Sequence, residues 1–391
     1  MTTEYALYFH IPFCTHRCAY CDFNTYAGQE SLISKYVEAL CNEIEIVANS
    51  APVRFSAHTI FFGGGTPSLL SVAQFESILK TVRKFYQLNP QSEISLEANP
   101  GTVTLDSLRD LHSLGFNRIS LGVQSANPEE LRQLERIHDY FDVIDAVSWA
   151  RRAGFDNLNL DLIFGLPEQT LDRWKATVNL VLGLHPEHLS LYALTIEHGT
   201  PFGRWAQHGL LSVPDPDAAA DMYEWAGKTL EAAGFEQYEI SNWANPGRQC
   251  LHNLQYWRNQ PYLGFGAGAH GSAGGLRISN VLRIKPYLDR LQPEHQPSNY
   301  TFPLSPATVS QNKISRRVEM QETMLTGLRL TCEGVSAVDF AFRFGVEMHD
   351  VFSKEIDELV DLSLLEWADP VLRLTKRGCL LGNQVFLHFV D

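Results

Sequence analysis

The sequence predicts an α/β protein, a partial (βα)6 TIM-like barrel followed by a helical, winged-helix-like C-terminal domain. Three observations predict it. Short runs rich in Ile, Leu, Phe and Val recur from residue 5 to about residue 200, separated by stretches with helical apolar spacing. The runs are nearly continuous rather than alternating, which suits strands covered on both faces of a parallel sheet. Polar residues and glycines gather where the runs end, as they do at the C-terminal strand ends of a barrel.

The strands are expected at residues 5–11, 58–62, 93–98, 118–123, 157–164 and 188–194. Ile33, Tyr36, Val37, Leu40 and Ile44 share one helical face after the first run, and Phe75, Ile78, Leu79 and Val82 share another after the second. Six such units fit a partial barrel better than a closed eight-fold one. The first run leads into a loop bearing cysteines, and the second ends in Gly63-Gly64-Gly65-Thr66-Pro67. The third ends in Glu97-Ala98-Asn99-Pro100 and the fourth in Gly122-Val123-Gln124-Ser125. The fifth contains Asp161 and ends in Gly165-Leu166-Pro167. One glycine turn means little, but the same placement repeated around a sheet points to one shared site.

Residues 200–300 are less regular, with a helix expected at 218–233, a glycine-rich loop at 264–275 and a proline-bearing linker at 293–306. Beyond residue 315, helices are expected at 317–328 and 348–359. A hairpin-like tail follows, with runs at 364–367, 372–374 and 385–389. This pattern divides the chain into domains at 1–240, 241–305 and 306–391.

A chain of 391 residues is long enough for two or three domains, and its 45% hydrophobic content is ordinary for a globular protein. The net charge of −14 argues against a nucleic-acid binder, which needs a basic face to neutralise phosphates. No apolar run approaches the roughly 20 residues of a membrane span, and the N-terminus lacks the basic and apolar regions of a signal peptide. The expectation is a cytoplasmic protein, or one peripheral at the membrane, in a reducing compartment. Of the seven cysteines, Cys41, Cys250, Cys332 and Cys379 stand alone and suit packing.

Cys14, Cys18 and Cys21 are spaced C-x3-C-x2-C. Three thiolates on one short loop can hold three irons of a cubane cluster and leave the fourth open to a ligand that is not protein, the place for S-adenosylmethionine. A structural zinc site with His10 or His16 as a further ligand is the other reading, although such sites usually pair C-x2-C with a second, distant pair. The Gly63–Pro67 stretch is either a turn that approaches a small molecule and offers N–H groups to a carboxylate, or a plain tight turn. Glu97 is placed to bind ribose hydroxyls, much as the acid of a dinucleotide fold does, or is a solvated strand-end charge. Gln124 and Asp161 carry the same two readings. Arg136 can pair with a carboxylate bidentately or be a surface charge. His252-Asn253-Leu254-Gln255-Tyr256-Trp257 supplies an iron ligand and flat aromatic walls. An aromatic core patch around a hydrogen-bonded histidine fits those residues as well. The glycines at 264–271 either approach a ligand or make a flexible turn.

The cysteine loop, the glycine turn and the strand-end Glu97, Gln124 and Asp161 together resemble radical S-adenosylmethionine proteins. Within them the resemblance is to the oxygen-independent coproporphyrinogen III oxidase group. It is carried by Tyr8-Phe9-His10-Ile11-Pro12-Phe13-Cys14, Arg118-Ile119-Ser120-Leu121-Gly122-Val123-Gln124 and Asp161-Leu162-Ile163-Phe164-Gly165-Leu166-Pro167. Two features differ from the oxidase. Phe23 stands where the oxidase motif has a fourth cysteine, and only seven residues precede Tyr8, where the oxidase has a long extension. Both features resemble the HemW-type haem chaperones, whose HNxxYW signature is matched by His252, Asn253, Tyr256 and Trp257.

The resemblance implies a radical SAM core, with a [4Fe–4S] cluster on Cys14, Cys18 and Cys21. It implies S-adenosyl-L-methionine against Tyr8, Gly64, Gly65, Thr66 and Glu97, and a second molecule against Gln124, Arg136 and Asp161. It also implies haem at His252, Asn253, Tyr256 and Trp257. The function implied is a haem chaperone that delivers haem to apoproteins such as membrane cytochromes, itself a possible homodimer. The alternative is radical oxidative decarboxylation of coproporphyrinogen III to protoporphyrinogen IX.

Overall fold

Six strands run parallel in the first half of the chain, and each is followed by helix. In the computed structural model, which describes residues 4–292 and 300–390, they are β1 (Glu4–Ile11), β2 (Ser56–Gly64), β3 (Gln87–Ala98), β4 (Arg118–Gln124), β5 (Leu158–Phe164) and β6 (His188–Ala193). They lie side by side in chain order. The intervening helices are α1 (Ile33–Ser50), α2 (Val72–Phe85), α3 (Leu105–Leu114), α4 (Pro128–Gln133), α5 (Tyr140–Ala153) and α6 (Leu171–Leu182). Ser71, Thr104 and Asp139 close capping boxes at the starts of α2, α3 and α5, and Gly115 and Gly154 end α3 and α5 in the left-handed conformation. This is the α/β architecture that the apolar runs predict. β3 starts at Gln87 rather than at 93, because polar residues pair there with the start of β2 (Ser56 with Gln87, Ala57 with Leu88) and backbone pairing leaves no apolar signal.

Side chains alternate across each strand. Phe9 and Phe62 point toward the helices, where Phe62 lies 5.2 Å from Phe75 and 5.4 Å from Phe116, all four buried. Burial of each such ring contributes about 1.5–3 kcal/mol. The alternate residues, Tyr8, Phe61, Ser95, Glu97, Ser120 and Asp161, face the other way and line the inner side.

The chain divides into two compact units. The first runs to Ala226 and includes Pro261–Asn312; the second comprises Gly227–Gln260 and the chain from Lys313 onward. The middle segment expected at 241–305 is therefore shared, 241–260 falling in the second unit and 261–305 in the first. In the first unit Tyr262–Phe265 joins the free edge of β1 in parallel, from Ala6 opposite Tyr262 to Phe9 opposite Phe265. His270–Ala273 and Leu276–Asn280 continue the sheet antiparallel. The glycine-rich stretch 264–275 is thus half strand, with connections at 266–269 and 274–275. A Cβ at Gly264 would lie 1.9 Å from the His270 carbonyl oxygen, so only glycine lets these strands approach. Of the expected linker, residues 293–299 lie outside the described residues.

The second unit carries the helices Arg316–Gly327, Ala337–Phe344 and Met348–Asp361. A small antiparallel sheet follows, in which Val371–Leu374 pairs with both Leu365–Ala368 and Val335–Ser336. Helices followed by a β wing match the expected C-terminal fold. The run expected as a strand at 385–389 is instead the helix Gly382–Leu387 with its following turn. Val385, Phe386 and Phe389 share one helical face and bury it against Phe340, Phe352 and Leu372. A short apolar run does not distinguish strand from helix by itself.

Candidate functional site

β1 delivers the chain into the cysteine loop. Phe13–Cys14 forms a two-residue parallel bridge with Tyr26–Ala27, which closes the loop at its base. Phe13 is buried edge-on against Tyr36 at 5.2 Å. Within the loop, the Cys21 N–H donates to the Cys18 carbonyl at 3.2 Å. Cys14 is buried and Cys18 and Cys21 are half-buried, all as free thiols. Burial pushes the Cys14 and Cys21 thiols up, and repulsion among the three adds to the rise.

The loop is anchored from both sides. Burial keeps His10 neutral by lowering its pKa. Its Nε2–H donates to the Asn24 carbonyl at 2.9 Å, which leaves Nδ1 to accept the Tyr8 hydroxyl at 3.0 Å. The Asn24 amide donates to the carbonyls of Ala267 and Leu282 at 3.0 and 2.9 Å. The turn at Ala267 therefore helps to hold the cysteine loop.

The glycine turn after β2 packs directly on this loop. Gly64 has φ +115°, and a Cβ at Gly65 would lie 2.6 Å from the Phe13 carbonyl oxygen and 3.0 Å from Cys14 Sγ. The Gly64, Gly65 and Thr66 N–H groups donate to Glu97 Oε2 (3.0 Å), the Ile11 carbonyl (2.9 Å) and the Phe13 carbonyl (2.8 Å). These donors are engaged within the protein; Gly65 gives close approach to Cys14, and Gly64 to the His10 ring, which a Cβ there would meet at 2.5 Å. The Thr66 hydroxyl donates to Cys14 Sγ at 3.6 Å and accepts from the Asn99 amide at 3.2 Å.

Register brings the strand-end acids together. Glu97, Ser120, Asn159 and His188 stand opposite one another across four strands, with Gly122, Asp161 and Ser190 one step further along. Asp161 accepts the Ser120 hydroxyl at 2.7 Å and the Asn159 amide at 2.8 Å. Burial, together with the Asp161 charge, pushes the Glu97 carboxyl up to about 7. Burial also raises Asp161, against the pull of its hydrogen bonds. Gln124 follows a bulge and sits in the left-handed region at φ +66°, a strained conformation for a non-glycine residue. Arg136 donates to the Gly122 carbonyl at 2.7 Å, to Cys18 Sγ at 3.6 Å and to Asn99 Oδ1. Tyr8, Gly64, Gly65, Thr66, Glu97, Gln124, Arg136 and Asp161 thus lie around one end of the sheet with the cysteines. Asn99, which links two of them, carries no sequence signal beyond being a polar strand end.

The donor set fits an iron–sulfur cubane. The three thiols share one loop and each would hold a separate iron, which a wide cluster requires. Among the described residues no three His, Cys, Asp or Glu side chains gather closely enough to hold a single metal ion.

His252, Asn253, Tyr256 and Trp257 lie in the second unit, on the helix Leu251–Trp257. His252 is buried, with Nε2 at 2.8 Å from the Tyr256 hydroxyl and the two rings edge-on at 5.0 Å. The i,i+4 spacing puts His252 with Tyr256 on one face and Asn253 with Trp257 on the next. Trp257 packs beside Tyr238, Leu254 and Leu330, with the Arg329 guanidinium 4.6 Å over its ring.

A loop of three thiols at the strand ends of a (βα)6 sheet defines a class. A family model described as the Radical SAM superfamily matches residues 8–181, and one described as the HemN C-terminal domain matches residues 314–381. The chain is 45% identical over 391 residues to a protein of Escherichia coli K12 named heme chaperone HemW, covering 98% of each chain. It is 38% identical over 387 residues to the protein of that name from Bacillus subtilis, again covering 98% of each. The chain belongs to the HemW family of radical SAM proteins. The solved coproporphyrinogen III oxidase of Escherichia coli has the same fold, with a TM-score of 0.83 at 24% identity over 99% of this chain and 90% of that one.

Proposed function

We propose that this chain is a haem chaperone that binds haem at the helix Leu251–Trp257 and delivers it to apoproteins such as membrane cytochromes. What carries the reading is full-length likeness to relatives named heme chaperone, which spans both the cysteine loop and the His252 helix. His252 is the iron ligand in this reading, with Asn253, Tyr256 and Trp257 shaping the pocket. The imidazole exchanges its contact with the Tyr256 hydroxyl for the iron. Cys14, Cys18 and Cys21 hold a [4Fe–4S] cluster. Tyr8, Gly64, Gly65, Thr66 and Glu97 hold S-adenosylmethionine, and Gln124, Arg136 and Asp161 hold a second molecule of it. Once bound there, the cluster would supply one-electron reductive chemistry toward S-adenosylmethionine.

The chain's own residues bind and orient. Thr66 and Arg136 point donors at two of the thiols, and Glu97 offers acceptors to ribose hydroxyls. The cluster and S-adenosylmethionine support dimerisation or gate haem transfer. The setting is cytoplasmic, with acceptors reached at the membrane surface; no helix among the described residues is long and apolar enough to cross a membrane.

Haem titration of the wild-type chain and His252→Ala tests the ligand assignment. A changed Soret band and weaker binding are expected, and an identical spectrum with identical affinity removes His252 from the site. Anaerobic incubation with reductant and coproporphyrinogen III tests the activity. Protoporphyrinogen formation above a Cys18→Ala control would overturn the chaperone reading in favour of the oxidase reaction.

A further inference from the structure

We propose that Asn99 is the joint of a hydrogen-bond relay that braces two of the three cluster thiolates and sets the reduction potential of the cluster. The proposal rests on the assignment of the cluster to Cys14, Cys18 and Cys21. The relay begins at Thr66, which is buried and donates its single hydroxyl proton to Cys14 Sγ at 3.6 Å. That hydroxyl oxygen accepts from Asn99 Nδ2 at 3.2 Å. Asn99 Oδ1 accepts from Arg136 Nη2, and Arg136 Nη1 donates to Cys18 Sγ at 3.6 Å. Two thiols that face different strands are thus tied through one amide.

The chemistry fixes the orientation of that amide. A guanidinium has donors and no acceptor, so the asparagine oxygen must face Arg136 and its nitrogen must face Thr66. Thr66 can then give its own proton only to the sulfur. The junction is also sterically prepared. A Cβ at Gly122 would meet Gln124 Nε2 at 2.9 Å and Arg136 Nη2 at 3.3 Å, so a side chain there would crowd the Arg136 guanidinium, while Asn99 Oδ1 at 3.7 Å stays in ordinary contact. The Asn99 carbonyl in turn accepts from the Thr102 hydroxyl at 2.8 Å and N–H at 3.0 Å, which holds the backbone at the joint.

Donors aimed at cluster sulfurs favour the more negative, reduced state and so raise the potential. The positive charge of Arg136 acts in the same direction. Asn99 touches neither sulfur and is a positioning residue, because it keeps both donors aimed.

The test uses the full chain reconstituted anaerobically with iron and sulfide. Iron and labile sulfide per wild-type chain come first, and a wild-type chain that holds no cluster overturns the cluster assignment itself. With the cluster present, potentiometric titration followed by electron paramagnetic resonance compares wild type, Asn99→Ala, Thr66→Val and the double variant. Both single variants should lower the potential, Asn99→Ala by at least about 59 mV, a tenfold shift in a one-electron equilibrium. The double variant should fall short of the sum, because Asn99 reaches Cys14 only through Thr66. An unchanged potential in Asn99→Ala, or strictly additive shifts, overturns the relay. If Asn99→Ala takes up no cluster, Thr66→Val decides alone: it keeps the side-chain shape and loses only the hydroxyl, and an unchanged potential there overturns the proposal.

Discussion

Glu97 Oε2 accepts the backbone N–H of Gly64 at 3.0 Å, across 33 residues of sequence. The acid that ends β3 and the glycine turn that ends β2 are therefore one piece of structure. Displacing either moves the other, and the turn in turn rests on Cys14.

The Glu97 carboxyl gives this pair a pH signature. Burial first, and the Asp161 charge second, lift it from 4.5 to about 7, against the opposing pull of the Gly64 N–H and Arg118. Between those values the folded chain keeps a proton that the unfolded chain has lost. Stability from this group therefore falls as pH rises through the window, with no penalty below it and the full penalty above. Glu97→Gln should gain on wild type from pH 4.5 to 7 and hold the gain above, on the order of 3 kcal/mol. Urea unfolding at pH 5 and pH 8 measures it, and a pH-independent difference would show that Glu97 is ionised throughout.

Gly65→Ala should displace the cysteine loop. The added Cβ meets two carbonyl oxygens, of Phe13 and Ile11, besides Cys14 Sγ, and backbone cannot swing aside as a long side chain can. The expected cost is about 1–3 kcal/mol, with reduced iron content after reconstitution. Gly101→Ala, whose Cβ meets nothing nearer than 3.9 Å, is the control and should stay within about 0.5 kcal/mol. Equal effects at both positions would contradict the close-approach account of Gly65.

Glu43 is buried on α1 and accepts the Gly266 N–H (2.8 Å), the Asn280 amide (2.7 Å), the Tyr287 hydroxyl (2.7 Å) and the Ser305 hydroxyl (2.8 Å). Glu43→Ala strands four buried donors and should cost at least about 3 kcal/mol. Because Gly266 lies beside the stretch that clamps Asn24, the thiols of the cysteine loop should also react faster with an alkylating reagent. Denaturant titration and thiol labelling check the two effects, and wild-type stability in the variant would mean that the four bonds contribute nothing net.

Tyr256→Phe tests competition at the imidazole. The Tyr256 hydroxyl occupies His252 Nε2 at 2.8 Å, and a nitrogen bound to iron must give that contact up. Removing the hydroxyl should tighten haem binding roughly 2- to 10-fold, the worth of one such hydrogen bond. Weaker binding in Tyr256→Phe would instead make the tyrosine itself a ligand or a direct contact of the haem.

Much of the site is legible along the chain because its signals are local. Cys14, Cys18 and Cys21 fall within one loop, and Gly63–Pro67 and Glu97 each end a run whose apolar character marks it as a buried strand. His252 and Tyr256 declare a common helical face by their spacing. What the sequence leaves ambiguous is equally specific. The glycines at 264–271 read as a loop, yet glycine is also what two closely approaching strands demand at Gly264. Residues 385–389 read as a strand, because four apolar residues in five fit either period until a core is present to bury one face.

The sequence by itself determined the parallel βα alternation, the cysteine triad and the placement of polar residues at strand ends, since each depends on residues near one another in the chain. Tertiary structure alone decided which of those residues meet. Asn99 gains its meaning from Thr66 and Arg136, 33 and 37 residues away. Glu43 finds its four partners between 223 and 262 residues later. Strand register, which lines Glu97 up with Ser120, Asn159 and His188, is fixed only when each strand's apolar face is buried against the neighbouring strands and helices.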